Sequence, residues 1–399
     1  MNLIGWVIFI AALLVSVMLH ETGHFLLAKR FGMKVTRYFV GFGPTLWSTW
    51  RGETEYGIKA LPLGGFVKIV GMHSLDDPDD PADEARAFRA HPAWQRIAVL
   101  SAGSFMHFLL AFVLIFGLAL GVGIANDNTT QLGTVTACVP SSMTALDNGS
   151  CGTSHAASPA KQAGLRVGDT VTAYNGHPVS NWTQLGSAIR AGRPGSPVTI
   201  TVRRAGRLVT LHTTLASVSG RSGAYLGIAP TVVFQVASPL RAITYTGSAF
   251  GQVITGSARA VADLPAALPK LFSKDRSNTA AGQVSSVVGA AEATGIAVSA
   301  NVGWQDKVSF VLLLIASLNI FVGLFNMLPL LPLDGGHIAA IIYERIRAWL
   351  ARLRGRPDPG LANMARLLPV SFGLFMIVVF FSVALILADI VNPVNLTGG

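Results

Sequence analysis

The sequence predicts a polytopic α-helical membrane protein of about four transmembrane helices, with a membrane-associated β-hairpin on the cytoplasmic side and a separate α+β domain outside. Three observations predict it. The 399 residues are 51% hydrophobic and 13% charged, with mean hydropathy +0.51, which is too apolar for an ordinary soluble chain. Four stretches, roughly 3–28, 97–125, 308–331 and 368–391, reach the ~20 apolar residues that a span needs. Between the second and third lies a long segment of short β-branched runs separated by turn signals.

The first element, residues 1–28, opens on the run LIGWVIFIAALLVSV. No Lys or Arg precedes Lys29, and the run ends in HETGH rather than at a small-residue cleavage site, so it is expected to be a retained span rather than a leader. Orientation follows from charge. Lys29, Arg30, Lys34 and Arg37 follow the first span, and Arg345, Arg347, Arg352, Arg354, Arg356 and Arg366 fill the loop before the last one. Both loops, 29–95 and 337–367, are expected to be cytoplasmic. Spans at 1–28, 96–125, 308–336 and 368–391 then leave 126–307 and the tail 392–399 outside. The net charge of +10 is read as facing anionic lipid; no Lys/Arg run interleaved with aromatics points to nucleic acid.

The loop 29–95 holds VTRYFVGFGP and ETEYGIKALPLGGFVKIVGM, β-prone pieces punctuated by glycine, which suggest a hairpin dipping into the headgroup region. The acidic run DDPDDPADE after it reads as a solvated loop.

Outside, residues 126–217 carry LGTVTAC, VTITVRR and LVTLHTTL as strands, AGLRVGD, YNGHP and GRPGSP as turns, and SNWTQLGSAIR as a helix. The run SPAKQAGLRVGDTVTAYNGHPVSNWTQL resembles a bacterial PDZ domain of the kind appended to membrane and periplasmic proteases, with ACVPSSMTALDNGSCGTSHAA longer than the usual link. The chain has two cysteines, Cys138 and Cys151, with no CxxC spacing, so a cysteine metal site is not expected. An outside location permits a disulfide between them, and two unpaired thiols are the other reading. Residues 218–307 are expected to be a linker with an amphipathic helix over 239–272.

The chemistry concentrates in MLHETGHF, at the end of the first span. On a helix His20 and His24 lie one above the other, with Glu21 beside them: the HExxH pattern, in which two imidazoles bind Zn²⁺ and the carboxylate takes a proton from a metal-bound water. Ionisable groups inside a span cost several kcal/mol and are kept chiefly for function. The alternative is a pair of histidines hydrogen-bonded to neighbouring helices beside a protonated Glu21. His24 precedes Lys29 by five residues, about 7.5 Å of helix, so the site is expected near the cytoplasmic face.

Two protein ligands hold zinc poorly, so a third is needed with the fourth position open. The third span ends in SLNIFVGLFNMLPLLPLDGGH, where Asp334 follows Pro329 and Pro332. Prolines three apart cannot continue a helix, and broken backbone at this depth must face protein or a wet cavity. Asp334 is therefore expected to face the first span as the third ligand; a helix N-cap is its other reading. Asn326 stands before the prolines, where its amide could serve a developing oxyanion, hold substrate, or only satisfy the broken helix.

HETGHFLLAKRFGMKVTRYFVGFGP, TEYGIKALPLGGFVKIVGM, SAGSFMHFLLAF and NMLPLLPLDGGH, in this order around a PDZ module, resemble the bacterial RseP-like group of site-2 proteases, which are zinc-dependent intramembrane metalloproteases. The resemblance covers nearly the whole chain, and the single PDZ module resembles the actinobacterial one-PDZ type. It implies that His20 and His24 match the HExxH ligands, Glu21 the catalytic glutamate, Asp334 the acidic ligand of the NxxPxxxxDG motif and Asn326 its leading residue. One departure stands in the second span: Gly103, Ser104, Phe105, Met106, His107 replace the family's GPxxN, and His107 reads as a packed, hydrogen-bonded histidine rather than a ligand. The resemblance further implies a bacterial plasma-membrane location, lipid as surroundings, and single-span substrates such as anti-sigma factors or remnant signal peptides. These would already be shortened outside by a site-1-type protease, with the PDZ module excluding untrimmed ones. A substrate helix must unwind before its carbonyls can be attacked, and a hairpin edge within GIKALPLGGFVKIV could pair with it, Gly64 and Gly65 letting the backbones approach. The rival functions are a catalytically inactive PDZ adaptor, which needs no zinc, and a metal transporter, which should carry polar residues across several spans rather than at one depth.

Overall fold

In the computed structural model, which describes residues 3–72, 80–140, 156–219, 223–267, 269, 286–331, 333–357, 360 and 368–391, the N-terminal apolar run forms α1 (Leu3–Arg30). Its buried residues Ser16, His20, Gly23, His24 and Ala28 recur at helical spacing, so the polar residues share the inward face. Gly32 ends the helix in the left-handed region at φ 79°, and Met33 N–H donates to Ala28 O at 2.9 Å.

The chain then forms β1 (Val35–Arg51) and β2 (Thr54–Ile69). Both are too long for one straight hairpin, and the register folds them back: Tyr38 faces both Tyr56 and Val67, and Phe39 faces both Gly57 and Phe66. Residues 37–40 thus form the middle, residues 45–51 pair outward with 54–59, and residues 65–69 are left as an edge beside α1. Phe42, Leu46, Trp47, Trp50, Ile58 and Leu61 stay exposed on this sheet. Two 3₁₀ turns, Pro81–Arg86 and Phe88–Ala90, lead to α2 (Ala93–Gly121), whose buried Val99, Leu100, Gly103, Ser104, His107 and Ala111 again follow the helical period.

The chain divides into two compact units, Met1–Ala119 with Ser238–Val394, and Leu120–Ala237 with Asn395–Gly399. In the second unit β3 (Ile124–Asn126) and β4 (Leu132–Val135) precede β5 (Thr170–Tyr174), β6 (His177–Pro178), α3 (Trp182–Ala191), β7 (Pro197–Arg204) and β8 (Arg207–Thr214). β9 (Ile228–Pro230) and β10 (Val233–Gln235) complete it. A four-stranded sheet in the order β6-β5-β7-β8 packs Val171, Ile200 and Val202 against Leu185 and Ile189 of α3. The expected turn at YNGHP is a tight one, with Asn175 at φ 51° and Gly176 at φ 79°, the geometry that matches strand twist. Asn181 Oδ1 caps α3 by accepting from Gln184 N at 2.9 Å. Cys138 is disulfide-bonded; Cys151, the only other cysteine of the chain, lies outside the described residues.

This unit runs past the boundary expected at 217, because β9 pairs with β4 and β10 with β3. The expected linker 218–307 is thereby divided. Its later part joins the first unit as α4 (Pro239–Ala267) and α5 (Val287–Ser299). Tyr245, Ala249, Phe250 and Val253 of α4 pack on Ala111, Ile115, Ala316 and Ile320, and α5 packs on α1, its Gly295 lying directly against Gly5. The amphipathic helix expected from 239 exists, and its apolar stripe covers other helices. α6 (Trp304–Asn326) stops at Asn326, α7 (Asp334–Leu353) starts at Asp334, and α8 (Leu368–Val391) follows. The segment expected as a loop from 337 therefore begins as helix, with Ile338 and Ile341 buried against Met33, Val35, Ile69, Val99 and Leu100. Among the described residues, α1, α2 and α6 are long and apolar enough to cross a membrane.

Candidate metal centre

The site is built where α1, α2 and the break between α6 and α7 converge. His20 and His24 come from successive turns of α1. Asp334 is the first residue of α7 and follows Leu333 as N-cap, so it is not itself the cap. The break arises because Leu330 N–H donates to Leu328 O at 2.7 Å and Leu333 N–H to Leu330 O at 2.8 Å, a tight turn in place of helix. Gly335 and Gly336 then seat α7 on this turn: a Cβ on Gly336 would stand 2.6 Å from Leu330 C.

Three potential ligand atoms meet. Nε2 of His20 and of His24 each lie 3.4 Å from Asp334 Oδ2, and the two Nε2 atoms lie 3.1 Å apart. Four ligands bound tetrahedrally at about 2.0–2.1 Å from an ion stand about 3.3–3.4 Å from one another, so these separations are those of a zinc-sized tetrahedron with one corner left open. The donor chemistry agrees. His24 Nδ1 donates to Val99 O at 2.7 Å, which leaves Nε2 as a bare lone pair turned to the centre. Asp334 Oδ2 is buried and has no hydrogen-bond donor. Lone pairs gathered this closely repel unless a proton or a cation sits among them.

α2 closes the site from behind. A Cβ on Gly103 would stand 2.5 Å from both His20 Cε1 and His24 Nε2. Farther along α2, His107 packs tilted on the His20 ring at 4.9 Å between centroids. Asn319 Nδ2 donates to Ile315 O at 2.8 Å, so Asn319 Oδ1 is the acceptor for His107 Nδ1–H at 2.9 Å and Ser16 Oγ–H at 2.5 Å. His107 is thus held by side chains of α1 and α6 and is not one of the three clustered groups. Glu21 reaches the other way, its Oε2 accepting the backbone N–H of Val67 at 3.0 Å. Gly65 lies beside it: a Cβ there would meet Met18 Sδ at 2.6 Å and Glu21 Cγ at 3.6 Å. Gly64, at φ 141°, packs near Phe42 and Val17. Asn326 ends α6 and is half-buried.

Val99, Ser16 and Asn319 carry no motif. A backbone carbonyl such as that of Val99 has no residue-type signature, whereas Ser16 and Asn319, polar residues well inside apolar runs, were a visible signal.

Comparison with known proteins agrees with the geometry. Two relatives, each covering 98% of both chains, are the zinc metalloprotease Rip1 of Mycobacterium tuberculosis at 36% identity and that of Mycolicibacterium smegmatis at 37%. A putative zinc metalloprotease of Clostridium acetobutylicum is 28% identical and covers 99% of this chain and 100% of its own. The solved PDZ domain of an SdrC-like protein from Listeria monocytogenes aligns with 25% of this chain and 87% of its own at 18% identity, with a TM-score of 0.18 that is too low to weigh. The family model described as Peptidase family M50 matches residues 8–356, a span that holds His20, His24 and Asp334, and the chain belongs to that family.

Proposed function

We propose that the chain is a site-2-type intramembrane endopeptidase in which His20, His24 and Asp334 hold zinc and Glu21 moves the proton. The observation that carries this is the ligand triangle, with sides of 3.1–3.4 Å, in which both histidines stand on a helix of transmembrane length. Zinc, when bound, would strongly lower the pKa of a water and polarise a scissile carbonyl. Glu21 takes the proton that this water gives up and returns it to the departing amine nitrogen. Val99 O holds His24 in the tautomer that offers Nε2. Asn326, at the helix break, donates from its amide to the substrate carbonyl oxygen or backbone.

Substrates are single-span membrane proteins. Their helices must open to an extended strand, and the edge 65–69, with Gly64 and Gly65 at its start, receives that strand by β-addition. α1, α2, α6 and α8 cross the plasma membrane of a bacterium, and the arginine-rich loops face the cytoplasm, as their charge supports. The second unit is a PDZ module outside, and it admits substrates already trimmed by an upstream protease.

The test is reconstituted cleavage of a single-span protein. Glu21→Gln keeps the ligands and retains zinc, while cleavage falls by about 10²–10⁴-fold. Processing that survives this change would sink the hydrolytic role, and wild-type protein purified without zinc would sink the site.

A further inference from the structure

Glu21 does not point at open space. Its carboxylate accepts the N–H of Val67, in the run 65–69 that is one edge of the sheet. Val67 faces Tyr38 across the register, yet its N–H is given to a side chain of α1 and not to β1. That N–H is therefore one of the outward donors that an added strand would use. The same donor thus has two claimants: the proton-moving carboxylate, and the carbonyl of any strand laid on this edge.

We propose that Val67 N–H is a switchable hold on Glu21: it keeps the carboxylate at the sheet edge while that edge is empty, and a substrate strand, by taking the N–H with its own carbonyl, releases Glu21 to work on the substrate. This deepens the function proposed above and rests on its placing of substrate along residues 65–69. Val67 acts as a positioning residue through its backbone, so its side chain is free to vary. The device ties proton transfer to correct seating of an extended strand. One hydrogen bond breaks and one forms, so the exchange costs little, whereas a carboxylate freed with no strand present would leave a donor unpaired.

The experiment is a double-mutant cycle on zinc-depleted full-length protein in detergent, reading the affinity of a capped peptide of alternating leucine and threonine. With the N–H present, in wild type and in Val67→Ala, the peptide must displace Glu21, so Glu21→Ala tightens binding about tenfold, the worth of about 1.4 kcal/mol. In Val67→Pro, which lacks the N–H at a position where the sheet loses no ladder bond, the peptide binds more weakly and Glu21→Ala changes nothing. The amide resonance of Val67 in isotope-labelled protein supplies a readout without altering Val67: it moves on Glu21→Ala and moves again when peptide is added to wild type. Affinity weakened by Val67→Pro but indifferent to Glu21→Ala, or a Val67 resonance that ignores Glu21→Ala, overturns the hold and leaves the edge as the substrate site. Affinity that ignores Val67→Pro overturns both. Neither result touches the zinc assignment, which is read separately from bound metal.

Discussion

Gly103 bears no functional group, yet it sets how near α2 can come to the two imidazoles. A methyl group there would collide with His20 and His24 together, and neither ring can retreat without leaving the triangle that it forms with Asp334. Gly103→Ala is expected to weaken zinc binding by at least about tenfold, in the range that ligand-supporting residues command, with the helices still formed; competition with a chromophoric chelator measures it, and unchanged affinity refutes the packing argument. Glu53, between β1 and β2, illustrates a different control. Arg86 grips both its oxygens at 2.7 and 2.8 Å and Lys29 adds a bond at 2.7 Å, which together hold its pKa at about 2 against an ordinary 4.5. The folded pKa is the lower one, so the stabilisation is present above about pH 4.5 and is lost as the pH falls towards 2. Glu53→Gln should therefore melt earlier than wild type at neutral pH, and the gap should close as the pH falls through that window; a gap of constant size would mean that the charge is not its source.

At the scale of elements, α7 carries Asp334 and must be held in register with α2. The brace is Arg96 Nη2 to Glu344 at 3.1 Å, with side chains only 10% and 12% exposed. Removing one partner strands a buried charge, so Glu344→Ala should destabilise by about 3–5 kcal/mol and loosen zinc as Asp334 drifts, whereas replacing both with apolar residues of similar volume should cost far less. Thermal unfolding with and without zinc distinguishes the cases, and equal losses for the single and double changes would remove the brace from the argument. The elements also differ in how readable they were. α1 and α2 announce themselves by apolar length, and the helix break is legible because Pro329 and Pro332 cannot continue a helix. The folding back of β1 and β2 is not legible: local β-propensity specifies strands but not which of two partners Tyr38 and Phe39 meet, and both are met. Nor was the destination of α4 and α5, since an amphipathic stripe reports that a face is covered and not by what.

For the molecule as a whole, His20, His24 and Asp334 all come from the unit formed by Met1–Ala119 and Ser238–Val394. Ile124 faces Gln235 in the β3–β10 ladder, so the second unit enters and leaves at adjacent points. Replacing residues between them with a short turn should leave zinc content intact and keep cleavage of a trimmed single-span substrate, while an untrimmed substrate becomes cleavable. Loss of zinc in that shortened protein would show that the first unit does not stand by itself, and continued refusal of untrimmed substrate would remove the proposed role of the second.

The sequence by itself determined the membrane character and singled out His20, Glu21, His24 and Asp334 as candidates, because a polar group inside lipid is expensive wherever the chain goes afterwards. Only the tertiary structure decided that Asp334 meets His20 and His24 at bonding separation across three hundred residues, that Val99 O selects the tautomer, and that Glu21 rests on Val67. Those facts depend on backbone atoms and on fine differences in how the helices are placed, and a residue type at one position carries no record of which carbonyl or N–H will be brought to face it.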